Sequence, residues 1–295
     1  MTAKAREATL GVMNKTSAAV NSLAIVTGAS SGLGAEFARR LVRQAASGQH
    51  TNGLPRFGQL WLVARREDRL NALAAELRQL APGLAIEPVA VDISAAGSIE
   101  ALASRAEQTG SISILINNAG FGTYGDFSDT DPGLSLGQVD LNCRALTESL
   151  ARFSPLLASG SLVINVASLA SFAPLGGFAV YAASKAYALS LSVALSAEWK
   201  KRGIALCALC PGPVATEFSL VASGGARKEV RHGWSAQRTV ELCLRDASRG
   251  RSISMPRPLW RFRRFAGWLA GPVLSASFAY RFMKRPSAAS VPHQP

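Results

Sequence analysis

Short apolar runs alternate with amphipathic segments along most of the chain. The run "SLAIVTGAS" (22–30) predicts a strand that enters a glycine turn. The next segment, "GLGAEFARRLVRQAA", predicts a helix because Leu33, Phe37 and Leu41 recur at helical spacing. The polar stretch 47–58 contains Gly and Pro and predicts a surface loop. The alternation continues with predicted strands at 59–67, 85–94, 113–120, 160–168 and 203–213, and predicted helices at 68–81, 96–110, 134–158 and 181–201.

The predicted strands are apolar over nearly their whole length. Because continuous apolar strands are typical of parallel sheets covered on both faces, the pattern predicts an α/β fold with helices on both sides of one sheet. No repeat or linker divides the sequence into two large domains. We expect a mobile N-terminal extension over 1–21, one folded domain over 22–255, and a basic, aromatic C-terminal extension over 256–295.

Composition and charge narrow the classes of partner. The chain has 295 residues, of which 48% are hydrophobic, enough for one large core. Its net charge of +13 favours anionic partners such as phosphates, nucleic acid or an anionic membrane surface. No acidic residue occurs from Arg249 to Arg285. The basic charge is therefore concentrated near the C-terminal end.

The cysteines are few and lie in apolar stretches, as is typical of a reducing compartment. Cys207 and Cys210 form a C-x-x-C pair, but the run around them predicts a buried strand, where this odd spacing sends the two side chains to opposite faces. With Cys143 and Cys243 elsewhere, no second pair completes a zinc site. We expect neither a metal site nor a disulfide, and a cytoplasmic location.

Three glycines, Gly28, Gly32 and Gly34, fall between the first strand and the first helix. Glycine allows positive φ and close approach of a ligand to the backbone, and a helix N-terminus favours an anion. The spacing differs from G-x-G-x-x-G, and a helix entry without a ligand is the alternative. The strand–turn–helix setting favours the pyrophosphate of a dinucleotide.

The second strand ends in Ala64, Arg65 and Arg66, where an acidic residue commonly contacts the ribose of NAD. A guanidinium suits a 2′-phosphate instead, and one charge-assisted hydrogen bond contributes about 1.5–3 kcal/mol. We therefore predict NADP(H), with Arg65 at the phosphate. The alternative is that these arginines are solvated at the start of a helix.

Tyr181 and Lys185 lie four residues apart in a predicted helix and therefore share a face. A phenol has a pKa of about 10, and lowering that pKa by about 3 requires about 4 kcal/mol. A neighbouring ammonium and an oxidised nicotinamide ring both favour the phenolate. Alone, such a pair is more often structural than catalytic. Its place after a strand that offers Ser168, and after a helix that offers Asn142, favours acid–base chemistry.

The sequence resembles the short-chain dehydrogenase/reductase family from about residue 22 to 220. The motifs that carry the resemblance are "TGASSGLG" (27–34), "NNAG" (117–120), Asn142 in "VDLNCRA", Ser168 in "NVASLAS", "YAASK" (181–185) and "PGPVAT" (211–216). It implies a Rossmann-type, doubly wound fold in a single domain and an oxidoreductase that uses a nicotinamide cofactor.

The resemblance also implies roles for individual residues. Asn142, Ser168, Tyr181 and Lys185 correspond to a catalytic tetrad in which Tyr181 is the general acid/base. Ser168 would hold the substrate oxygen, Lys185 would lower the pKa of Tyr181 and bind the nicotinamide ribose, and Asn142 would position a water. The cofactor-binding residues expected on this basis, together with Arg65, are Gly28, Ser30, Ser31, Gly32, Leu33, Gly34, Asp92, Asn118, Tyr181, Lys185, Val214 and Thr216.

Apolar residues near these motifs favour a lipophilic carbonyl or alcohol substrate. Phe218, Leu220 and Val221 predict a partly apolar lid, followed by Gly224 and Gly225. A pocket wall is expected from residues that could equally pack the core: Phe121, Leu169, Phe172, Leu175 and Phe178.

The C-terminal segment 256–285 mixes aromatic residues with arginine. Its uncharged run is short for a spanning helix, which needs about 20 apolar residues. We expect a peripheral membrane contact with Trp260, Trp268 and Tyr280 at the headgroups; a subunit contact or packing on the domain is the alternative.

Two other functions compete with an NADP(H)-dependent oxidoreductase. One is a non-catalytic NADP(H)-binding redox sensor, which would not need the tyrosine–lysine pair. The other is nucleic-acid binding through the basic segment, which we do not expect because no recognised nucleic-acid-binding domain accompanies the charge. Family resemblance further implies a homo-oligomer.

Overall fold

A computed structural model describes residues 22–47, 53–226 and 233–283. Seven parallel strands form one sheet in the order β3-β2-β1-β4-β5-β6-β7, flanked by helices. The strands are β1 Ser22–Thr27, β2 Gln59–Ala64, β3 Ala85–Ala90, β4 Ser111–Asn117, β5 Leu157–Val166, β6 Ala205–Leu209 and β7 Ile253–Ser254. The helices are α1 Gly32–Ala46, α2 Glu67–Leu80, α3 Ser98–Thr109, α4 Pro132–Val139, α5 Leu146–Phe153, α6 Ala179–Trp199, α7 Phe218–Ala222, α8 Ala236–Ser248 and α9 Pro258–Phe282. The predicted doubly wound α/β fold is confirmed.

Both faces of the sheet are covered by apolar side chains. Ala24 and Val26 of β1 pack in a core with α1, α2 and α8, whereas Leu23 and Ile25 pack in a second core with α3, α5 and α6. Since successive side chains of a strand point to opposite faces, a strand between two helical layers must be apolar throughout. Cys207 belongs to the first core and Cys210 to a third cluster, as their odd spacing predicts.

Several boundaries differ from the predictions. The helix expected at 134–158 is α4 and α5 joined by a π-helical segment, Asp140–Ala145, and the chain has already entered β5 at Leu157. Helix α8 and strand β7 lie in a part of the sequence for which we made no prediction. The loop expected at 47–58 is described in part, and its Leu54 is buried in the first core. The extension 1–21 lies outside the described residues.

Helix α9 is interrupted at Gly271, whose φ of 76° and ψ of 168° are not helical, and Pro272 follows. The Ser275 hydroxyl donates to the Gly267 carbonyl at 3.3 Å, so the segments on either side of the interruption contact each other. We call residues 258–282 the C-terminal hairpin. Among the described helices, none is both long and apolar enough to cross a membrane.

Candidate active site

A large cleft lies at the carboxyl ends of the strands, where the strand order reverses between β1 and β4. Such a reversal is where doubly wound sheets bind their ligands. The cleft has a volume of about 1640 Å³, above the roughly 300–1,000 Å³ typical of one small-molecule site. It therefore has room for a dinucleotide and a second ligand.

The glycine turn forms one wall of the cleft. Gly28 has a φ of 65° and Gly32 a φ of 56°, values that L side chains rarely adopt. A Cβ on Gly34 would collide with the Gly28 carbonyl oxygen and lie 2.5 Å from Asn118 Nδ2. Asn118 in turn donates to the carbonyls of Thr27 and Gly28, at 3.0 and 3.2 Å, so it braces the turn against β4.

The N-terminus of α1 opens into this cleft. Its N-cap residue, Ser31, makes no side-chain capping bond, and the first turn carries no acidic residue. The first N–H groups of a helix need partners and favour an anion. The turn and helix end thus fit a pyrophosphate, as the sequence predicts.

Arginines surround the far end of the cleft. Arg65 has a side chain that is 75% exposed, and its guanidinium lies 3.8 Å from the Asp92 carboxylate. Arg66 donates to the hydroxyls of Ser30 and Ser31, at 3.0 and 2.7 Å.

Glu217, which our sequence reasoning did not single out, links this end of the cleft to the lid. Its carboxylate accepts from Arg66 at 3.1 Å and from Arg69 at 2.5 Å. The bond from Arg69, followed by that from Arg66, holds the pKa of Glu217 below its ordinary value. The only sequence signal was its place directly after "PGPVAT".

Tyr181 and Lys185 are both buried in the first turns of α6, on one face. The Lys185 ammonium lies 5.8 Å from the centroid of the Tyr181 ring and donates to the Val166 carbonyl at 2.8 Å. The i, i+4 spacing therefore brings the two residues together as predicted.

Ser168 follows the end of β5, lines the cleft and lies close enough to the Tyr181 hydroxyl to favour its phenolate. It caps the short helical turn Leu169–Phe172 by accepting from Ala170 N at 3.1 Å. Ser171 Oγ accepts a hydrogen bond from Ser168 N at 3.2 Å and donates one to the Lys185 carbonyl at 2.7 Å. The serine is thus fixed relative to α6 by a capping box, a pattern that S-x-x-S in the sequence could have indicated.

Asn142 lies in the π-helical segment, a feature that often marks functional sites. Its Nδ2 donates to the Phe121 carbonyl at 2.8 Å and to Ser184 Oγ at 3.0 Å. A Cβ on Gly120 would lie 2.8 Å from Asn142 Oδ1 and 3.1 Å from Lys185 Nζ. These two polar atoms therefore face the same small space beside Gly120.

Burial governs the protonation of this pair. It raises the pKa of Tyr181, although the hydrogen bond from Ser168 acts in the opposite direction. It also lowers the pKa of Lys185 to about 8. Our prediction that Lys185 lowers the pKa of Tyr181 is therefore wrong when only the residues of the chain are considered. Removal from water disfavours both the phenolate of Tyr181 and the ammonium of Lys185.

Apolar side chains enclose the tyrosine. Its ring stacks on Phe178 with centroids 4.2 Å apart and meets Phe218 of α7 at 5.3 Å. Phe178 also contacts Tyr124, which sequence reasoning missed. The expected wall residues all line the cleft, as do Val214, Thr216 and, from the predicted lid, Phe218 and Val221. The segment that follows these lid residues, 227–232, lies outside the described residues.

The C-terminal hairpin completes the wall. Trp260 packs directly on Gly212 of "PGPVAT" and is 1% exposed. The Arg264 guanidinium lies 4.6 Å above the Phe172 ring, and Tyr280 packs on Gly176. Burial of Trp260 overturns our placement of that residue at membrane headgroups.

The profile of the family described as short chain dehydrogenase matches residues 22–223. The chain belongs to this family. Its members are oxidoreductases that act on CH–OH and C=O groups with a nicotinamide cofactor.

Similar proteins place the chain within the family. A short-chain dehydrogenase from Sphingobium yanoikuyae, solved in complex with NADPH, is 30% identical with a TM-score of 0.71 over 85% of this chain and 94% of its own. An NAD complex of a short-chain dehydrogenase from Burkholderia phymatum has a TM-score of 0.71 at 22% identity, covering 84% and 93% of the two chains, and shows the fold alone.

A curated relative, the probable oxidoreductase EphD of Mycobacterium tuberculosis, is 32% identical over 213 residues. The match covers 70% of this chain but 33% of EphD, so the chain spans about a third of that relative's length.

Proposed function

We propose that this protein is an NADPH-dependent reductase of lipophilic carbonyl compounds, which also catalyses the reverse oxidation of the alcohols. The observation that carries the proposal is that Ser168, Tyr181 and Lys185 line one cleft together, next to an apolar wall. A buried phenol in such a wall suits a ketone with an apolar body.

When bound, the nicotinamide cofactor supplies the hydride. The residues of the chain then donate the proton and stabilise the negative charge on the substrate oxygen. Ser168 donates a hydrogen bond to that oxygen, and Tyr181 gives it a proton as negative charge develops. A raised pKa keeps the phenol protonated at neutral pH, the form that donation requires. In the reverse direction the positive charge of the oxidised ring would oppose the effect of burial.

We propose that Lys185 and Asn142 take part in returning the proton to Tyr181. Their polar atoms face a common space beside Gly120, where a water could bridge them. We propose that Lys185 binds the nicotinamide ribose and that Asn142 positions this water.

The remaining cofactor contacts are proposed from the residues that line the cleft or form its glycine turn. Gly28, Gly32 and Gly34 would receive the pyrophosphate with Ser31 and Leu33, and Asp92 and Asn118 would border the adenosine. Val214 and Thr216 would face the nicotinamide carboxamide from the opposite wall.

We propose that NADP(H) is preferred because two guanidinium groups lie where a 2′-phosphate would sit. Arg65 is loosely paired and free to turn to a phosphate, while Arg66 already spans Ser30 and Ser31. For Arg65→Gln we expect kcat/KM for NADPH to fall about ten- to a hundredfold, with that for NADH nearly unchanged. Steady-state kinetics with both cofactors measure this.

Arg66→Gln should act in the same direction. Arg152→Gln, which removes an exposed arginine paired with Glu100, is the matched control and should alter neither value. An unchanged preference in Arg65→Gln would refute the assignment of Arg65.

The pH profile of ketone reduction should show an alkaline limb near the pKa of Lys185, about 8. The ammonium is present below this pH and is lost as the pH rises through it, so kcat/KM should fall. Burial raises the pKa values of the nearby thiols of Cys143 and Cys210 and of the Tyr181 hydroxyl, so none of these groups accounts for a limb near pH 8. Initial rates between pH 6 and 10 test the prediction, and a flat profile would contradict it.

A panel of ketones followed by NADPH absorbance tests the function itself. Turnover of large apolar ketones supports the reductase. Tight NADPH binding without turnover of any carbonyl compound would instead favour a redox sensor.

Two proposals concern assembly. Exposed apolar residues on α4 and α6, among them Leu136 and Val193, support a homo-oligomer, which sedimentation would test. We also propose that the segment 256–285 contacts a membrane from the cytoplasmic side; its described part is the C-terminal hairpin.

A further inference from the structure

The outer face of the C-terminal hairpin is apolar. More than half of the large apolar side chains that are exposed in the described chain lie on this hairpin or next to it. Contiguous exposure of this kind marks a contact with a partner or a membrane. Those more than half exposed are Phe262, Phe265, Trp268, Leu269, Val273, Leu274, Phe278, Tyr280 and Phe282.

Arginine is the only charged residue type in the sequence of the hairpin, and the acid-free stretch from Arg249 to Arg285 includes the whole hairpin. From outside the hairpin, Asp126 accepts a hydrogen bond from the Tyr280 hydroxyl at 2.9 Å. The basic residues of the hairpin are Arg261, Arg263, Arg264 and Arg281, of which the last three also line the cleft. Aromatic and aliphatic side chains interleaved with arginine match the interface of an anionic bilayer, where apolar groups enter the acyl region and cations meet the headgroups.

A second copy of the chain fits this face poorly. A twofold contact places the same patch on both sides, so the arginines of one copy would face those of the other without an acidic partner from either hairpin. Charge complementarity therefore favours an anionic lipid surface.

The inner face of the hairpin lines the active-site cleft. Ala266, Gly267 and Ala270 contribute to its wall. Leu274, Phe278 and Phe282 line the same cleft and are also more than half exposed, so they lie at its rim. One element thus presents an apolar surface outward and borders the opening that leads toward Tyr181.

We propose that the hairpin lies in the surface of an anionic bilayer and admits substrate directly from the lipid phase. The substrate class is then a bilayer-dissolved ketone or alcohol with a long apolar body, which need not cross water to reach Tyr181. This substrate assignment rests on the proposed reductase function, whereas the bilayer contact does not.

Vesicle flotation of the full chain tests the bilayer contact. We expect binding to vesicles of phosphatidylcholine with phosphatidylglycerol, weaker binding to phosphatidylcholine alone, and a decrease with added salt. The double variant Trp268→Glu, Leu269→Glu should lose at least about tenfold in partition, since each side chain buries a large apolar area. Leu80→Glu, an exposed change on α2, is the matched control and should bind as wild type.

Activity tests the route of the substrate. Anionic vesicles should raise the rate with a long-chain ketone dissolved in them, in wild type and Leu80→Glu but not in the double variant. A small water-soluble ketone should be reduced equally by all three, which shows that the site is intact. Equal flotation of wild type and double variant overturns the bilayer contact, as does dimerisation through the hairpin without vesicle binding.

The bilayer contact and the entry of substrate from the lipid phase can be refuted independently of each other. If vesicles bind through the hairpin but do not change the preference for the long-chain ketone, the lipid route is overturned. If no ketone is reduced at all, the reductase function and the route fail together, and flotation still decides the membrane contact.

Discussion

Tyr181→Phe is expected to lower kcat for ketone reduction by about a thousandfold, within the range that a general acid contributes. The change removes the phenolic hydroxyl and leaves a ring that stacks on Phe178 and is tilted against Phe218. The affinity for NADPH should change little, because the contact that is lost is to the reacting oxygen. Stopped-flow absorbance measures the rate, and fluorescence titration measures the affinity.

Tyr187→Phe is the matched control. Tyr187 lies on the same helix, is partly exposed, and its hydroxyl is 2.6 Å from Thr147 Oγ1, outside the cleft. This variant should keep the wild-type kcat. Full turnover by Tyr181→Phe would remove the basis of the proposed mechanism.

Gly34→Ala is expected to weaken NADPH binding by about a hundredfold, the scale of loss when binding groups are displaced by about an ångström. The new methyl group would collide with the Gly28 carbonyl and press on Asn118 Nδ2. Either the backbone of the glycine turn or the side chain of Asn118 must therefore move. The same overpacking should cost about 1–3 kcal/mol of unfolding free energy.

Titration with NADPH and thermal unfolding measure these two effects. Gly83→Ala is the control, because a Cβ at Gly83 meets no heavy atom within 4 Å and its φ lies outside the positive range. It should leave NADPH affinity unchanged. Wild-type affinity in Gly34→Ala would contradict the assignment of the turn to the pyrophosphate.

The sheet and its flanking helices could be predicted because local pattern and burial agree in this fold. Strands such as β1 are apolar on both faces and α1 repeats Leu33, Phe37 and Leu41, so pattern alone places them. The π-helical segment could not be predicted, since its number of residues per turn differs only slightly from that of the α-helices α4 and α5. The position of Asn142 depends on that segment and on Phe121, which is distant in sequence.

Motif spacing predicted which residues meet at the cleft, but not their protonation. The approach of Tyr181 to Lys185 follows from helix geometry, whereas the pKa of each depends on how much water the surrounding chain excludes. Much of that exclusion comes from Phe178, Phe218 and Tyr124, which converge from three separate segments. The contact of Trp260 with Gly212 could likewise not be predicted from the sequence, because no periodic pattern links the two positions.

Met283, the last described residue of the C-terminal segment, lines the cleft. A fluorescent label attached to residue 283 would therefore report directly on what occupies the cleft.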